Sequence, residues 1–227
     1  MLLLALALAP AFAIMVYIYI KDKYEREPIP LLLKNFGLGA SASVVIALII
    51  GAFGNFFLPV INPESVFQQF IKAFVVVALV EEFSKYVIVR YYAQRNKEFD
   101  EPFDGIVYAV MVAMGFAALE NILYVFQYGM SNGIIRAFTA VPAHATFGIL
   151  MGYFMGKAKF AKTKKEKIRL NLTGLLAATL FHGIYDFFLF INFIPGISIG
   201  AFLSLAIGLF LSRKAIQKHQ NISRFKH

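Results

Sequence analysis

Cysteine and tryptophan are absent from the 227 residues. The missing thiols exclude disulfides and thiolate metal sites, leave His, Asp and Glu to hold any metal, and remove every sign of redox compartment. Charge is scarce as well, at 15% of residues against 59% hydrophobic, with a mean hydropathy of +0.69. A globular domain is about a quarter charged, and a soluble core of this length has no room for so much apolar surface. Acidic residues are the scarcest charges, 13 against 22 Lys and Arg, giving a net +9. That excess does not point to nucleic acid, because the basic residues stand in short clusters between apolar stretches and not on one amphipathic surface. Long linkers, soluble domains and internal repeats are missing too, so residues 1–227 read as one membrane domain.

What is present is apolar length. A helix needs about 20 mostly apolar residues to cross the bilayer core. Seven segments qualify, at 2–20, 33–60, 67–91, 104–128, 134–156, 171–192 and 196–212, so the fold expected is an all-α polytopic membrane protein. The first has an Ala11-Phe12-Ala13 resembling a signal-peptidase site, but no basic region precedes it and the apolar run continues, so it reads as an uncleaved span. The second is overlong and holds Gly37, Gly39, Gly51, Gly54 and Asn55, which predicts a tilt, kink or break. Lys and Arg fill alternate connections: Lys21, Lys23 and Arg26, then Arg90, Arg95 and Lys97, then Lys157 to Arg169, then the tail after Ser212. By the positive-inside rule the N-terminus lies outside and the C-terminus is cytoplasmic.

Ionisable residues inside spans cost about 2.5–3.5 kcal/mol each on insertion scales and mark function. Here they are Glu81, Glu82 and Lys85 in LVEEFSKYV, Glu120 in GFAALENILY, His144 in AHATFG, and His182 and Asp186 in FHGIYDF. Helical spacing of four lets Glu81 reach Lys85 and His182 reach Asp186. Glu81 and Glu82 diverge by about 100°, so one is expected to act and the other to be anchored. At about 1.5 Å of rise per residue, all four groups lie near mid-membrane, with Glu120, His144 and His182 leaning outward. One shared polar site is therefore expected.

Hydrolysis is the chemistry such a site performs: a Glu kept from bulk water takes a proton from water attacking a carbonyl, and a His or Asn donor stabilises the oxyanion. Blander readings compete. The Glu-Lys pair serves equally as a buried ion pair, Asn121 as interhelical glue, Asp186 as an orienting partner of His182, and His144 as a packing residue beside a ladder opened by Pro142. Phe116, one turn before Glu120, is expected to seal the site. Gly148, Gly152 and Gly156 continue the His144 face as a small-xxx-small packing stripe. The same carboxylates and histidines would suit an ion-coupled transporter, although no inverted repeat is visible; a non-cutting scaffold is the third reading.

Taken in order, Glu81-Glu82-x-x-Lys85, DEPFDGIVYA (Asp100 to Ala109) leading to GFAALENILY, His144, and His182-x-x-x-Asp186 resemble the PrsW family of bacterial intramembrane proteases, relatives of the CAAX-prenyl endopeptidases. The motifs cover roughly residues 75 to 190. The resemblance implies a multi-pass protein of the bacterial cell membrane with motifs from several helices meeting around a water. It also implies peptide-bond hydrolysis in a single-span membrane protein such as an anti-sigma factor, cut first on its extracytoplasmic side to free an extracytoplasmic-function sigma factor. Carried over by position, it makes Glu81, Glu82 and His182 essential, with Glu81 as general base and Glu82 and Lys85 as its support. The prenyl-endopeptidase relatives have a His after the second-motif Phe and a closing His-x-x-x-Asn, where this chain has Glu120-Asn121 and His182-x-x-x-Asp186. A metal-free mechanism and a zinc held by some of Glu81, Glu82, Glu120, His144 and His182 therefore both stay open. Membrane lipids are the other expected partners.

Overall fold

A computed structural model describes residues 2–226, and all regular structure among them is helical. Helix α1 is Leu2–Lys21. Helix α2 is the continuous stretch Ile29–Phe57, interrupted by a π-helical turn at Gly39–Ser43. Helix α3 covers 66–91, entered through a Ser65 cap whose side chain accepts from the Gln68 amide, with a π-helical run at Lys72–Ala78. Then come α4 Pro102–Phe138, α5 Ala140–Lys159, α6 Lys164–Phe190 and α7 Ile199–Asn221. Among the described residues, five helical stretches are long and apolar enough to cross a membrane: Leu3–Lys21, Ile29–Phe57, Pro102–Lys159, Lys164–Phe190 and Ile199–Asn221. The third of these is α4 and α5 folded back on one another. Helix α3 is not among the five, and it carries Lys72, Glu81, Glu82 and Lys85.

Helix α4 is the central element, almost fully buried from Phe103 to Ala118. It begins with a reciprocal capping box between Glu101 and Asp104, and Pro102 adds a φ already suited to a first turn. Helices α1, α2 and α5 pack around it, while outer side chains such as Leu48, Phe53 and Phe56 stay exposed as a lipid-facing surface requires. The antiparallel α4–α5 pair lies so close that a Cβ on Gly152 would strike the backbone of Gly105 and Ile106. Replacing Gly152 by Leu is therefore expected to destabilise the protein by about 1–3 kcal/mol or to prevent folding, read as a lowered unfolding midpoint in detergent. An unchanged midpoint would mean the helices do not approach as described.

Several helix ends differ from the apolar pattern. The fourth helix does not stop at residue 128: it bends at Gly129 (φ 81), resumes through 130–138, and breaks at Thr139, so the fifth starts at Ala140 and not at 134. Pro142 consequently sits in a first turn, where no ladder bond is lost, and opens no backbone near His144. Helix α6 starts at Lys164, earlier than 171, because Thr163 caps it by accepting from the Glu166 amide. Helix α7 runs to Asn221, beyond 212, since polar residues at a bundle end continue a helix as well as apolar ones do.

The basic connections gather at one end of the bundle. Lys159 donates to the carbonyls of Gln94 and Asn96, Arg224 pairs with Asp100, and the Gln220 amide donates to the Lys21 carbonyl. That same end buries an acidic group in which burial pushes the Glu27 carboxyl up to about 8 and the Asp22 carboxyl up to about 7.

Candidate active site

Four helices deliver the intramembrane ionisable residues to one place. From α3 come Glu81, Glu82 and Lys85; from α4, Glu120; from α5, His144; and from α6, His182 and Asp186. The π-helical run at Lys72–Ala78 lies one residue before the turn that carries the two glutamates, and such bulges occur frequently at functional sites.

The adjacent glutamates face different surroundings, as their angular separation predicts. Glu82 is fully buried, with Oε1 2.6 Å from Lys85 Nζ and 2.9 Å from His182 Nδ1. Glu81 retains 18% side-chain exposure and lines the cavity, 3.8 Å from Lys85 Nζ and 4.0 Å from His182 Nε2. Its Oε2 is buried and accepts no hydrogen bond from the described residues. Lys85 is held additionally by His144 Nδ1 at 3.1 Å and by the Phe116 ring, whose centroid lies 4.3 Å away. Phe116 is thus both a wall of the site and a cation-π partner.

Each imidazole also has a carboxylate beside its Nε2. Glu120 Oε2 lies 2.9 Å from His144 Nε2, and His182 Nε2 lies 3.3 Å from Asp186. The two rings are 5.2 Å apart and nearly perpendicular, with Phe147 stacked 4.8 Å from His182. A cavity of about 510 Å³ opens onto this group, lined by Glu81, Glu120, His144, His182 and Asp186 among others. Its remaining walls include Asn132, Thr139 and Phe202, which places its mouth at the end away from the basic loops. A second, apolar groove of about 400 Å³ between α2, α3 and α4 shares Glu81 and Glu120 with it.

Asn121 turns elsewhere: its amide donates to the Ala7 carbonyl of α1 and accepts from Arg136, which is the interhelical bridge weighed above. Arg136, just inside the expected fifth span, is not among the candidate site residues read from the sequence. Its guanidinium lies 2.8 Å from Glu120 and over the Tyr124 ring, supplying the second fixed cation of the site. The signal available was an arginine inside an expected apolar span; its meaning depends on the Gly129 bend, after which Asn132, Ile135 and Arg136 line the cavity.

Residues 27–212 match the sequence profile described as PrsW family intramembrane metalloprotease. The chain belongs to the PrsW family. Curated relatives named Protease PrsW include those of Geobacillus kaustophilus (45% identical over 58% of this chain and 58% of that protein) and Oceanobacillus iheyensis (43%, covering 68% and 67%). That of Bacillus subtilis is 40% identical over 53% of this chain and 55% of its own length. The alignment thus spans between about half and two thirds of each of these PrsW proteins. No solved structure matches.

A metalloprotease description calls for a metal, and the residues present fit one. One ligand atom each from Glu81, His144 and His182 lies within 4.8 Å of the others, and two histidines plus a carboxylate with an open fourth position are a catalytic zinc set. Glu82 and Glu120 stand behind the imidazoles, where an outer carboxylate orients a ligating ring. Glu81 Oε2, which accepts no hydrogen bond from the described residues, has an acceptor to offer such an ion.

Proposed function

We propose that this chain is an intramembrane protease that cuts a single-span membrane protein, with Glu81, Glu82, Glu120, His144, His182 and Asp186 as its catalytic group. The observation that carries the reading is the meeting of Glu81, Glu120, His144, His182 and Asp186 from four helices at one cavity, with Glu82 behind His182, in a chain whose relatives are named proteases. An anti-sigma factor is the substrate we favour, cut on its extracytoplasmic side in the bacterial cell membrane. We further propose seven crossings with the N-terminus outside and the C-terminus cytoplasmic; clustering of the basic loops at one end and the cavity mouth at the other supports that orientation. A transporter reading gains nothing from relatives that are all named proteases.

The zinc proposed here, held by Glu81, His144 and His182, would polarise the scissile carbonyl and acidify a bound water. The chain's own residues do the rest. Glu82 fixes the His182 ring from Nδ1, leaving Nε2 to face Asp186, Glu81 and the cavity. Glu120 fixes His144 from Nε2, so that Nδ1, 3.1 Å from Lys85, is the atom that would turn to the zinc. Arg136, which lines the cavity, would place a positive charge beside a developing oxyanion, while the buried Lys85 holds Glu82 and His144 behind it. If Glu81 ligates, Asp186, which also faces the cavity, is positioned to take the water's proton; without metal, Glu81 is the base.

Cleavage of a co-expressed single-span reporter, with and without a membrane-permeant zinc chelator, tests both levels. Cleavage is expected to stop under chelation and return with added zinc. Persistent cleavage under chelation, still lost in Glu81→Gln, would leave a metal-free glutamate protease; no cleavage in any condition would remove the protease reading.

A further inference from the structure

A second group of carboxylates lies far from the first. Asp104 precedes Glu120 by sixteen residues of α4, which at 1.5 Å per residue is about 24 Å along the helix. Around Asp104 gather Glu25 and Glu27 from the α1–α2 connection, and one carboxylate oxygen from each of the three lies within 4.8 Å of the others. Glu27 and Asp104 are 1% and 0% exposed, so this is not a solvated acidic surface.

Each of these residues uses at most part of its acceptor capacity. Asp104 Oδ2 accepts from the amides of Asp100 and Glu101 at 2.7 Å, and Glu27 Oε2 accepts from the Tyr108 hydroxyl. The other oxygens, Glu25 Oε2, Glu27 Oε1 and Asp104 Oδ1, are buried and accept no hydrogen bond from the described residues. Nor does any described Lys, Arg or His form an ion pair with them: the nearby Lys159 ammonium is engaged by two backbone carbonyls, and Arg224 pairs with Asp100. Buried carboxylates are normally paired or bound to a cation. Three oxygens without partners, converging from two chain segments 77 residues apart between Glu27 and Asp104, therefore form an unfilled acceptor set.

We propose that Glu25, Glu27 and Asp104 bind a hard divalent cation of the Mg²⁺, Mn²⁺ or Ca²⁺ class at the basic end of the bundle, separate from the intramembrane site. All-oxygen donors select these ions over zinc, which prefers imidazole and thiolate. The ion ties the α1–α2 connection to the first turn of α4, beside the tail that Ser223 fastens to Glu101. It acts as a staple across the bundle end, and because Glu25 remains partly exposed, the ion can enter from water.

Mn²⁺ titration of the detergent-purified full chain, followed by the loss of the free-ion electron paramagnetic resonance signal, tests this without any cleavage assay. It is run in a Glu81→Gln/His182→Ala background, which removes two of the three intramembrane ligands, so that the Glu25→Gln comparison reports on the acidic group. One bound Mn²⁺ is expected, displaced by excess Mg²⁺ or Ca²⁺, together with a raised thermal unfolding midpoint. Glu25→Gln and Asp104→Asn should each weaken binding at least tenfold. Glu25 lies on the rim, so its variant tests the site even where Asp104→Asn fails to fold. Absence of Mn²⁺ binding at millimolar concentration, or binding indifferent to Glu25→Gln, would overturn the proposal and leave a cluster of protonated carboxyls. Neither result bears on whether the chain cuts peptides.

Discussion

Glu81→Gln is expected to lower reporter cleavage by at least about a thousandfold, the scale on which an acting catalytic group is lost, while the protein unfolds at the wild-type temperature. The two halves of that result have separate causes. Glu81 faces the cavity, retains partial exposure, and has an oxygen that accepts nothing from the described residues, so a near-isosteric amide disturbs little packing. The amide nonetheless can neither accept a proton from water nor serve as an anionic ligand. Glu82→Gln gives a different pattern. It too loses cleavage, because His182 loses its anionic partner, but it also loses stability, since Lys85 is left without its closest counter-ion. Measuring cleavage and detergent unfolding on both variants separates them; equal stability loss in the two would contradict the division into an acting and an anchored glutamate.

Lys85→Met carries the largest expected stability effect. The Lys85 side chain is 2% exposed and its ammonium touches Glu82, His144, Glu81 and the Phe116 ring. Methionine fills similar volume but leaves a fully buried Glu82 carboxylate with His182 as its sole partner. Removing one member of a buried ion pair costs about 3–5 kcal/mol, chiefly because the other charge is stranded. Restoring neutrality in the double variant Lys85→Met/Glu82→Gln should recover part of that loss. Chemical unfolding in detergent checks it; a single variant as stable as wild type would mean that the ammonium is not held as described.

Much of the site was legible because the membrane makes polar residues conspicuous: Glu81, Glu82, Glu120, His144, His182 and Asp186 stand out in apolar runs, and depth counting placed them together. Helical spacing alone also separates the surroundings of Glu81 and Glu82. What local pattern does not contain is where a helix bends. The Gly129 turn brings Arg136 back to Glu120 across sixteen residues, and nothing in periodicity distinguishes that glycine from the packing glycines of α5. Likewise the spacing of four favoured Glu81 as the partner of Lys85, whereas the ammonium lies closer to Glu82, three residues away, because His144 and Phe116 draw it to that side. Helix ends were misjudged where hydropathy was the sole guide: capping by Thr163 and the polar run to Asn221 extend α6 and α7 beyond their apolar cores. The acidic group at Glu25, Glu27 and Asp104 escaped notice because its members lie in connections or at a helix start, where charge is ordinary.

Because the chain has no cysteine, introduced thiols report on proximity without background. The decisive measurement is linkage of a Glu81→Cys/His182→Cys pair, on α3 and α6, by a short homobifunctional thiol reagent in native membranes, scored after proteolysis of the basic α5–α6 loop. Joined fragments, formed faster than in controls moved to the lipid-facing positions Leu48 and Phe53, are the result expected if acids and imidazoles share one water-accessible site. Thiols that react singly but never join would contradict it.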